Sequence, residues 1–89
     1  MRPALIVGRP VGMEDVLVWA MMITSARRGA WTGDIPTGSD HASYGLAVPC
    51  FVRTAKIATL ECTAIDSVLG RLPDTLLQQV RDRVASALA

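Results

Sequence analysis

The chain has 89 residues, of which 51% are hydrophobic and 19% charged, and its net charge at pH 7 is +1. This length allows one small domain, and this hydrophobicity excludes an intrinsically disordered chain. The small net charge excludes a general attraction to nucleic acid or membrane, so any basic patch must be local. The longest apolar run, residues 16–23, is too short for a membrane-spanning helix, which needs about 20 residues.

We therefore expect a single domain over residues 1–89, located in the cytoplasm and with no membrane partner. The apolar fraction is high for so small a chain, which indicates surface left over for a partner. The simplest such partner is a second copy of the chain.

Two apolar runs near the N terminus predict β-strands. Residues 4–7 (ALIV) lie between Pro3 and a glycine-rich turn, which is typical of a short buried strand. Residues 16–23 form a longer run that predicts a central strand. A short buried helix over the same run is the alternative, because Met, Ala and Leu favour helix.

Two further segments before residue 62 also predict β structure. The segment WTGDIPTGSD (31–40) can hold only a short or edge strand, because Pro36 cannot donate to a β-ladder. Strand sequence then lies on both sides of Arg53–Lys56. With a period of two, Arg53 would face the opposite side from Val52 and Thr54.

The last third of the chain changes to a helical period. Thr63 with Asp66 three residues later suggests a helix start, and Gly70 a helix stop, so a short helix is predicted between them. Pro73 suits the first position of a second helix. The apolar stripe of this amphipathic helix is Leu76, Leu77, Val80, Val84 and Leu88. Strands followed by helices predict an α+β domain built on a small antiparallel sheet or barrel.

The residue inventory excludes several kinds of active site. His41 is the only histidine, so cleavage of RNA by two histidines of one subunit is impossible. Its nearest serine and aspartate are neighbours in one predicted loop, whereas a Ser/His/Asp triad converges from separate segments. Cys50 and Cys62 lack the spacing of a zinc site, and we expect both to stay reduced.

Arginine is the residue type that remains as a carrier of function. Four arginines stand at or just beyond predicted strand ends: Arg2, Arg27, Arg28 and Arg53. A guanidinium can bind phosphate through two parallel hydrogen bonds, and Thr24 and Ser25 could bond the same phosphate. The alternative is that these are ordinary solvated strand ends, and the pattern alone leaves both interpretations open.

Four blocks of the sequence resemble the MazF/PemK (Kid) family of toxins from bacterial toxin–antitoxin modules. These blocks are RPALIV (2–7), AMMITS (20–25), YGLAVPCFVRTAKIATLE (44–61) and LGRLPDTLLQQVRDRV (69–84). They occur in the family's order. The resemblance implies an SH3-like small antiparallel β-barrel of the MazF/PemK/CcdB type, with a short helix and a C-terminal amphipathic helix, acting as a homodimer.

The resemblance also implies an activity and a partner. Members are sequence-specific endoribonucleases that cleave single-stranded RNA without a metal ion or other cofactor. The ribose 2′-hydroxyl attacks the adjacent phosphate and leaves a 2′,3′-cyclic phosphate and a 5′-hydroxyl. A cognate MazE-like antitoxin blocks the RNA groove, often with an extended acidic segment.

The resemblance carries particular residues with it. Arg2 matches the arginine that contacts the scissile phosphate, and Thr24 matches the threonine paired with it, so these two are the expected catalytic residues. Arg53 matches an arginine that takes part in some members. The acidic residue two positions further on in those members is Ala55 here, which favours the Arg2–Thr24 pair as the centre. The expected RNA-binding residues are Ser25, Arg27, Arg28 and Arg53, although Arg27 and Arg28 match no family motif.

Members usually carry a strand of the GDIVLV type before the RPALIV block, and a loop that closes over the RNA site. We expect this chain, which starts at Met1, to lack both. Two other functions therefore stay open. One is a catalytically inactive member that binds an antitoxin-like peptide; the other is a toxin of the same fold that poisons a DNA-gyrase-like protein without touching RNA.

Overall fold

The computed structural model describes residues 2–88, which form a curled antiparallel sheet followed by one α-helix. The strands are β1 (Ala4–Val11), β2 (Leu17–Ser25), β3 (Ile35–Pro36) and β4 (Cys50–Glu61), and the helix is α1 (Asp74–Leu88). The strand order is β1-β2-β4-β3, which makes half of a small barrel. The predicted α+β fold is confirmed.

β2 is the central strand, as its continuous apolar sequence predicted. It pairs with β1 on one side and β4 on the other, and Ala20 is completely buried. β1 runs further than predicted, to Val11. Its register against β2 shifts after Val7, and the positive φ of Gly8 (77°) lets the strand continue through this irregularity.

β4 is one strand with a break in its pairing to β2. Arg53 lies opposite Met22, but the next pair joins Ile57 to Met21, so residues 54–56 have no partner on β2. Because an insertion of this kind disrupts the ladder, the predicted alternation fails here. Thr54 is buried directly after the buried Arg53.

β3 is a two-residue edge strand, in agreement with the prediction for residues 31–40. Thr37, which is buried, lengthens this short pairing. Its backbone N–H donates to the Cys50 carbonyl at 2.9 Å, and its Oγ1 accepts from the Cys50 N–H at 3.0 Å. The Thr37 side chain therefore takes the place of a further ladder hydrogen bond.

The hydrophobic core joins the sheet to α1 and to the loop before β4. Its members are Met21, Ile23, Ile35, Leu46, Cys50, Val52, Leu72, Leu76 and Val80. The predicted stripe of α1 faces this core, except that Leu88 is exposed. No helix in residues 2–88 has the length and apolar character needed to span a bilayer.

The short helix predicted between Thr63 and Gly70 is wrong. A single 3-10 turn, Cys62–Ala64, follows β4, and residues 65–73 have no regular secondary structure. Gly70 does not end a helix; its backbone lies against the backbone of Tyr44, where a Cβ atom would overlap the Tyr44 carbonyl. Close contact between the two backbones therefore holds this segment in place, and the segment is not helical.

Gly45→Ala is expected to destabilise the fold more than Gly38→Ala. Both glycines have positive φ, 82° and 74°, so alanine costs roughly 1–2 kcal/mol at either position. A Cβ on Gly45 would also overlap the carbonyl oxygen of Leu69, whereas one on Gly38 would meet no atom within 4 Å. Overpacking should add about 1–3 kcal/mol at Gly45. Urea unfolding of both variants measures the difference, and equal losses would contradict this contact.

Candidate functional site

The register of β1 and β2, continued two residues before β1, predicts that Arg2 lies opposite Thr24. The ladder continues one residue beyond β1, because the N–H of Ile23 donates to the carbonyl of Pro3 at 3.2 Å. The next pair in this register is Arg2 with Thr24. Both residues expected to be catalytic line one depression at this end of the sheet.

A concave depression of about 440 Å³ lies at this end of the sheet. Its charged and hydroxyl-bearing lining residues are Arg2, Thr24, Ser25, Arg28, Arg53 and Lys56. Of the residues that the structure describes, no aspartate or glutamate lines it. A surface of guanidinium, ammonium and hydroxyl groups without a carboxylate suits a bound anion, and phosphate in particular.

Five of the six predicted site residues line this depression, and Arg27 does not. The local turn explains the difference. Ser25 caps the 3-10 turn Ala26–Arg28, its Oγ accepting from the Arg27 N–H at 3.3 Å. Because a 3-10 helix has three residues per turn, consecutive side chains point in different directions. Arg28 therefore lines the depression while its neighbour Arg27 projects elsewhere, exposed to solvent.

Arg53 joins the wall of the depression to residues 26–34, here called the basic loop. Its Nε donates to Asp34 Oδ1 at 3.3 Å and its Nη2 donates to Oδ2 at 3.0 Å, which makes a two-point ion pair. Nη2 also donates to the Gly29 carbonyl at 3.0 Å, and the guanidinium carbon lies 4.0 Å from the centre of the Trp31 ring. The side chains of Arg53 and Asp34 are 10% and 1% exposed.

The environment of Asp34 keeps it ionised. Burial, the largest single influence, would raise the pKa of this carboxyl, but the hydrogen bonds from Arg53 and the Trp31 N–H and the charge of Arg53 together outweigh burial. The pKa of Asp34 is therefore held below its usual value. The Trp31 N–H donates to Oδ2 at 2.8 Å, so three N–H groups bond to this carboxylate.

Sequence reasoning missed Asp34, Trp31 and Lys56. The spacing of Trp31 and Asp34 was a usable signal, because an aspartate in a turn often accepts from a nearby backbone N–H. The pairing of Asp34 with Arg53, 19 residues away, leaves no local pattern. Lys56 lies in the unpaired part of β4, and the sequence carries no marker for this break.

Two other reactive side chains do not offer a nucleophile or base to the depression. His41 is half-buried and its Nδ1–H donates to the Leu46 carbonyl at 2.9 Å, outside the lining. Cys50 lines the depression, but burial raises the pKa of its thiol, which donates to the Val48 carbonyl. A neutral buried thiol is a poor nucleophile.

A larger groove of about 550 Å³ runs along β1 and is lined mainly by apolar side chains. Leu5, Ile65 and Leu72 are among them, and Arg2 lines both the groove and the basic depression. Of the residues expected at the site, Arg2 is the one that the groove shares. The chemistry-bearing groups therefore belong to the smaller depression.

The ion pair of Asp34 predicts a dependence of stability on acid pH. Since the folded-state pKa of Asp34 is lowered, its contribution is complete above the unfolded value of about 3.9 and is lost as pH falls through the folded value. At pH 7, Asp34→Asn should reduce the free energy of unfolding by about 1–3 kcal/mol.

Urea unfolding from pH 7 to pH 2 measures this dependence. The difference between the wild type and Asp34→Asn should shrink as pH falls below about 3.9. Asp40→Asn, which removes an exposed carboxylate, serves as the control and should follow the wild type. A constant difference between wild type and Asp34→Asn across this range would contradict the prediction.

Comparison with known protein families gives one match. A family model described as "PemK-like, MazF-like toxin of type II toxin-antitoxin system" matches residues 1–88. No curated protein matches the chain. The family match covers all the strands, the helix and the basic depression. The chain belongs to the PemK-like, MazF-like toxins of type II toxin–antitoxin systems.

Proposed function

We propose that this toxin is a sequence-specific, metal-independent endoribonuclease that cleaves single-stranded RNA. The observation that carries the proposal is that Arg2 and Thr24 line one depression together with Arg28, Arg53 and Lys56. The family match supports the proposal, because endoribonuclease activity is general in this family.

Among the residues that the structure describes, those lining the depression include phosphate-binding groups and no carboxylate or histidine. Its charged lining residues are the guanidinium groups of Arg2, Arg28 and Arg53 and the ammonium group of Lys56. An RNA phosphodiester suits a site with these groups, because the RNA's own 2′-hydroxyl supplies the nucleophile and the protein need not. The protein then has to orient the phosphate for in-line attack and stabilise charge on its oxygens.

Arg2 and Thr24 divide these two tasks. Arg2 stabilises the negative charge that develops on the phosphate in the transition state. It does not act as a general base, because a guanidinium in a protein does not give up its proton. The Thr24 hydroxyl positions the phosphate by a hydrogen bond. The products are a 2′,3′-cyclic phosphate and a 5′-hydroxyl.

The other basic groups bind the RNA beside the reacting phosphate. Arg28 and Lys56 contact neighbouring phosphates, and Ser25 supplies a further hydroxyl. The predicted contact of Arg27 stays a prediction, since this residue lies outside the lining. Arg53 has Nε and Nη2 engaged with the basic loop, which bears on the further inference below.

The antitoxin of this module is the expected protein partner, because the family consists of toxins from toxin–antitoxin pairs. An acidic antitoxin segment would match the charge of the basic depression.

We further propose a homodimer. Trp19 of β2 and Ile57 of β4 are each about half exposed and lie diagonally across neighbouring strands. This apolar surface suits contact with a second copy.

Purified protein is expected to cut a labelled mixed-sequence RNA at discrete sites in EDTA. End-group analysis should find 2′,3′-cyclic phosphates and 5′-hydroxyls. Arg2→Ala should lower the rate by about 10²–10³, because it removes a preorganised donor. Arg9→Ala is the matched control, since Arg9 is exposed on β1 outside the depression.

Thr24 is tested in the same assay by two substitutions. Thr24→Val removes the hydroxyl at nearly constant shape and should slow cleavage, whereas Thr24→Ser retains the hydroxyl and should keep most of it. No cleavage by a folded wild-type sample would overturn the proposed function and favour an inactive antitoxin-binding member. Inhibition of DNA gyrase without RNA cleavage would favour the gyrase-type toxin.

Arg28→Ala is expected to weaken RNA binding more than Arg27→Ala, although the two residues are adjacent and identical. Arg28 lines the depression and Arg27 does not. Loss of one phosphate contact should lower the slope of log Kd against log salt by about 0.7. Titration of fully 2′-O-methylated RNA, which lacks the nucleophile, measures both variants without cleavage. Equal weakening would place both arginines on the RNA.

A further inference from the structure

We propose that Asp34 is a positioning residue: through Arg53 it holds the basic loop (residues 26–34) so that Arg28 faces bound RNA. The inference rests on the proposed function and adds to it. Asp34 itself does not line the depression and touches no substrate in this scheme.

The basic loop is attached to β4 by side chains of two consecutive residues. Arg53 bonds to Asp34 and to the Gly29 carbonyl, and Thr54 Oγ1 donates to the Gly33 carbonyl at 2.7 Å. Both anchors lie where β4 loses its register with β2. The break in the ladder thus provides side chains that hold the loop across the end of the sheet.

Asp34 is the centre of this attachment. Its carboxylate accepts two hydrogen bonds from Arg53 and one from the Trp31 N–H, so it fixes both Arg53 and the loop's own turn. Trp31 in turn stacks on the Arg53 guanidinium. Asp34→Asn keeps one oxygen acceptor but loses the second acceptor and the charge, so at least one N–H of Arg53 or Trp31 is left without its partner.

Loss of this attachment should weaken RNA binding and leave the rate of the chemical step unchanged. Arg28 is part of the basic loop and depends on its attachment. Thr24 belongs to β2 and Arg2 directly precedes the Pro3–Ile23 bond, and the pairing of β1 with β2 does not involve the loop. A loosened loop should therefore raise KM while kcat stays near its wild-type value.

A purely electrostatic role for Asp34 predicts the opposite sign. RNA is negatively charged, so removal of one negative charge near the depression would by itself tighten binding. Direct binding of RNA by Arg53 predicts the same direction, because Asp34→Asn would release its guanidinium. A rise in KM separates the positioning role from both alternatives.

The experiment measures kcat and KM for cleavage of one defined RNA by Asp34→Asn, Arg28→Ala and the double variant. Asp34→Asn should raise KM about tenfold with kcat within about twofold, a loss in the range expected for a misplaced group. The double variant should bind no worse than Arg28→Ala alone, because both changes remove the same contact. Arg53→Lys, which keeps the charge but cannot form the two-point pair, should resemble Asp34→Asn.

Two controls separate positioning from charge and from stability. Asp40→Asn removes an exposed carboxylate and should leave KM unchanged. Val80→Ala weakens the core under α1, so it lowers the active fraction and the apparent kcat without raising KM. Amide hydrogen exchange should show faster exchange in residues 26–34 of Asp34→Asn and unchanged exchange in α1.

The outcomes distinguish this inference from the proposed function. If the wild type cleaves RNA and Asp34→Asn leaves KM unchanged or lowers it, the positioning role is overturned and the nuclease stands. Additive effects in the double variant would also overturn it. If the wild type does not cleave RNA, the proposed function falls and takes the inference with it, while hydrogen exchange still reports whether Asp34 orders the loop.

Discussion

The antiparallel pairing of β2 with β4 is the constraint on which the rest of the structure depends. Every residue of β2 from Leu17 to Ser25 has a partner on β4, and the other side of β2 carries β1. At one end, this pairing holds the two hydroxyls that follow the apolar run. Where this pairing is interrupted, residues 54–56 of β4 have no partner on β2. Arg53 and Thr54, at this break, are the residues that bond to the basic loop.

The buried ion pair of Arg53 and Asp34 is a costly feature in so small a domain. Taking two charges out of water offsets much of their attraction, so such pairs contribute little net stability. What this pair contributes is a defined position, because the two-point geometry and the stacked Trp31 allow one arrangement of the loop. Loss of either partner is nevertheless severe, since it leaves the other charge buried and unpaired.

The sequence predicted the parts of the fold that follow a local period. The strands begin and end within a few residues of the apolar runs, apart from the extension of β1, and α1 begins directly after Pro73. The helix predicted before Gly70 failed because contact with Tyr44 overrides a weak capping signal. The site residues were predicted by their positions at strand ends and, for Arg2, Thr24 and Arg53, by resemblance, but the Asp34–Arg53 pair joins two segments that no short pattern connects. Such a pair follows from the tertiary path of the chain.

In the proposed reaction, binding and chemistry depend on different parts of the fold. Thr24 belongs to β2 and Arg2 lies next to the first residues of the strand ladder, so the proposed catalytic pair depends on the sheet. The basic loop supplies Arg28 and is held by the Arg53–Asp34 pair, by the Thr54–Gly33 bond and by the Ala26 N–H, which donates to the Pro49 carbonyl. An acidic antitoxin segment would compete with RNA for the charges of the depression without having to match the strand geometry. Changes in the loop could therefore alter which RNA or antitoxin binds while the pair at the strand ends keeps the same chemistry.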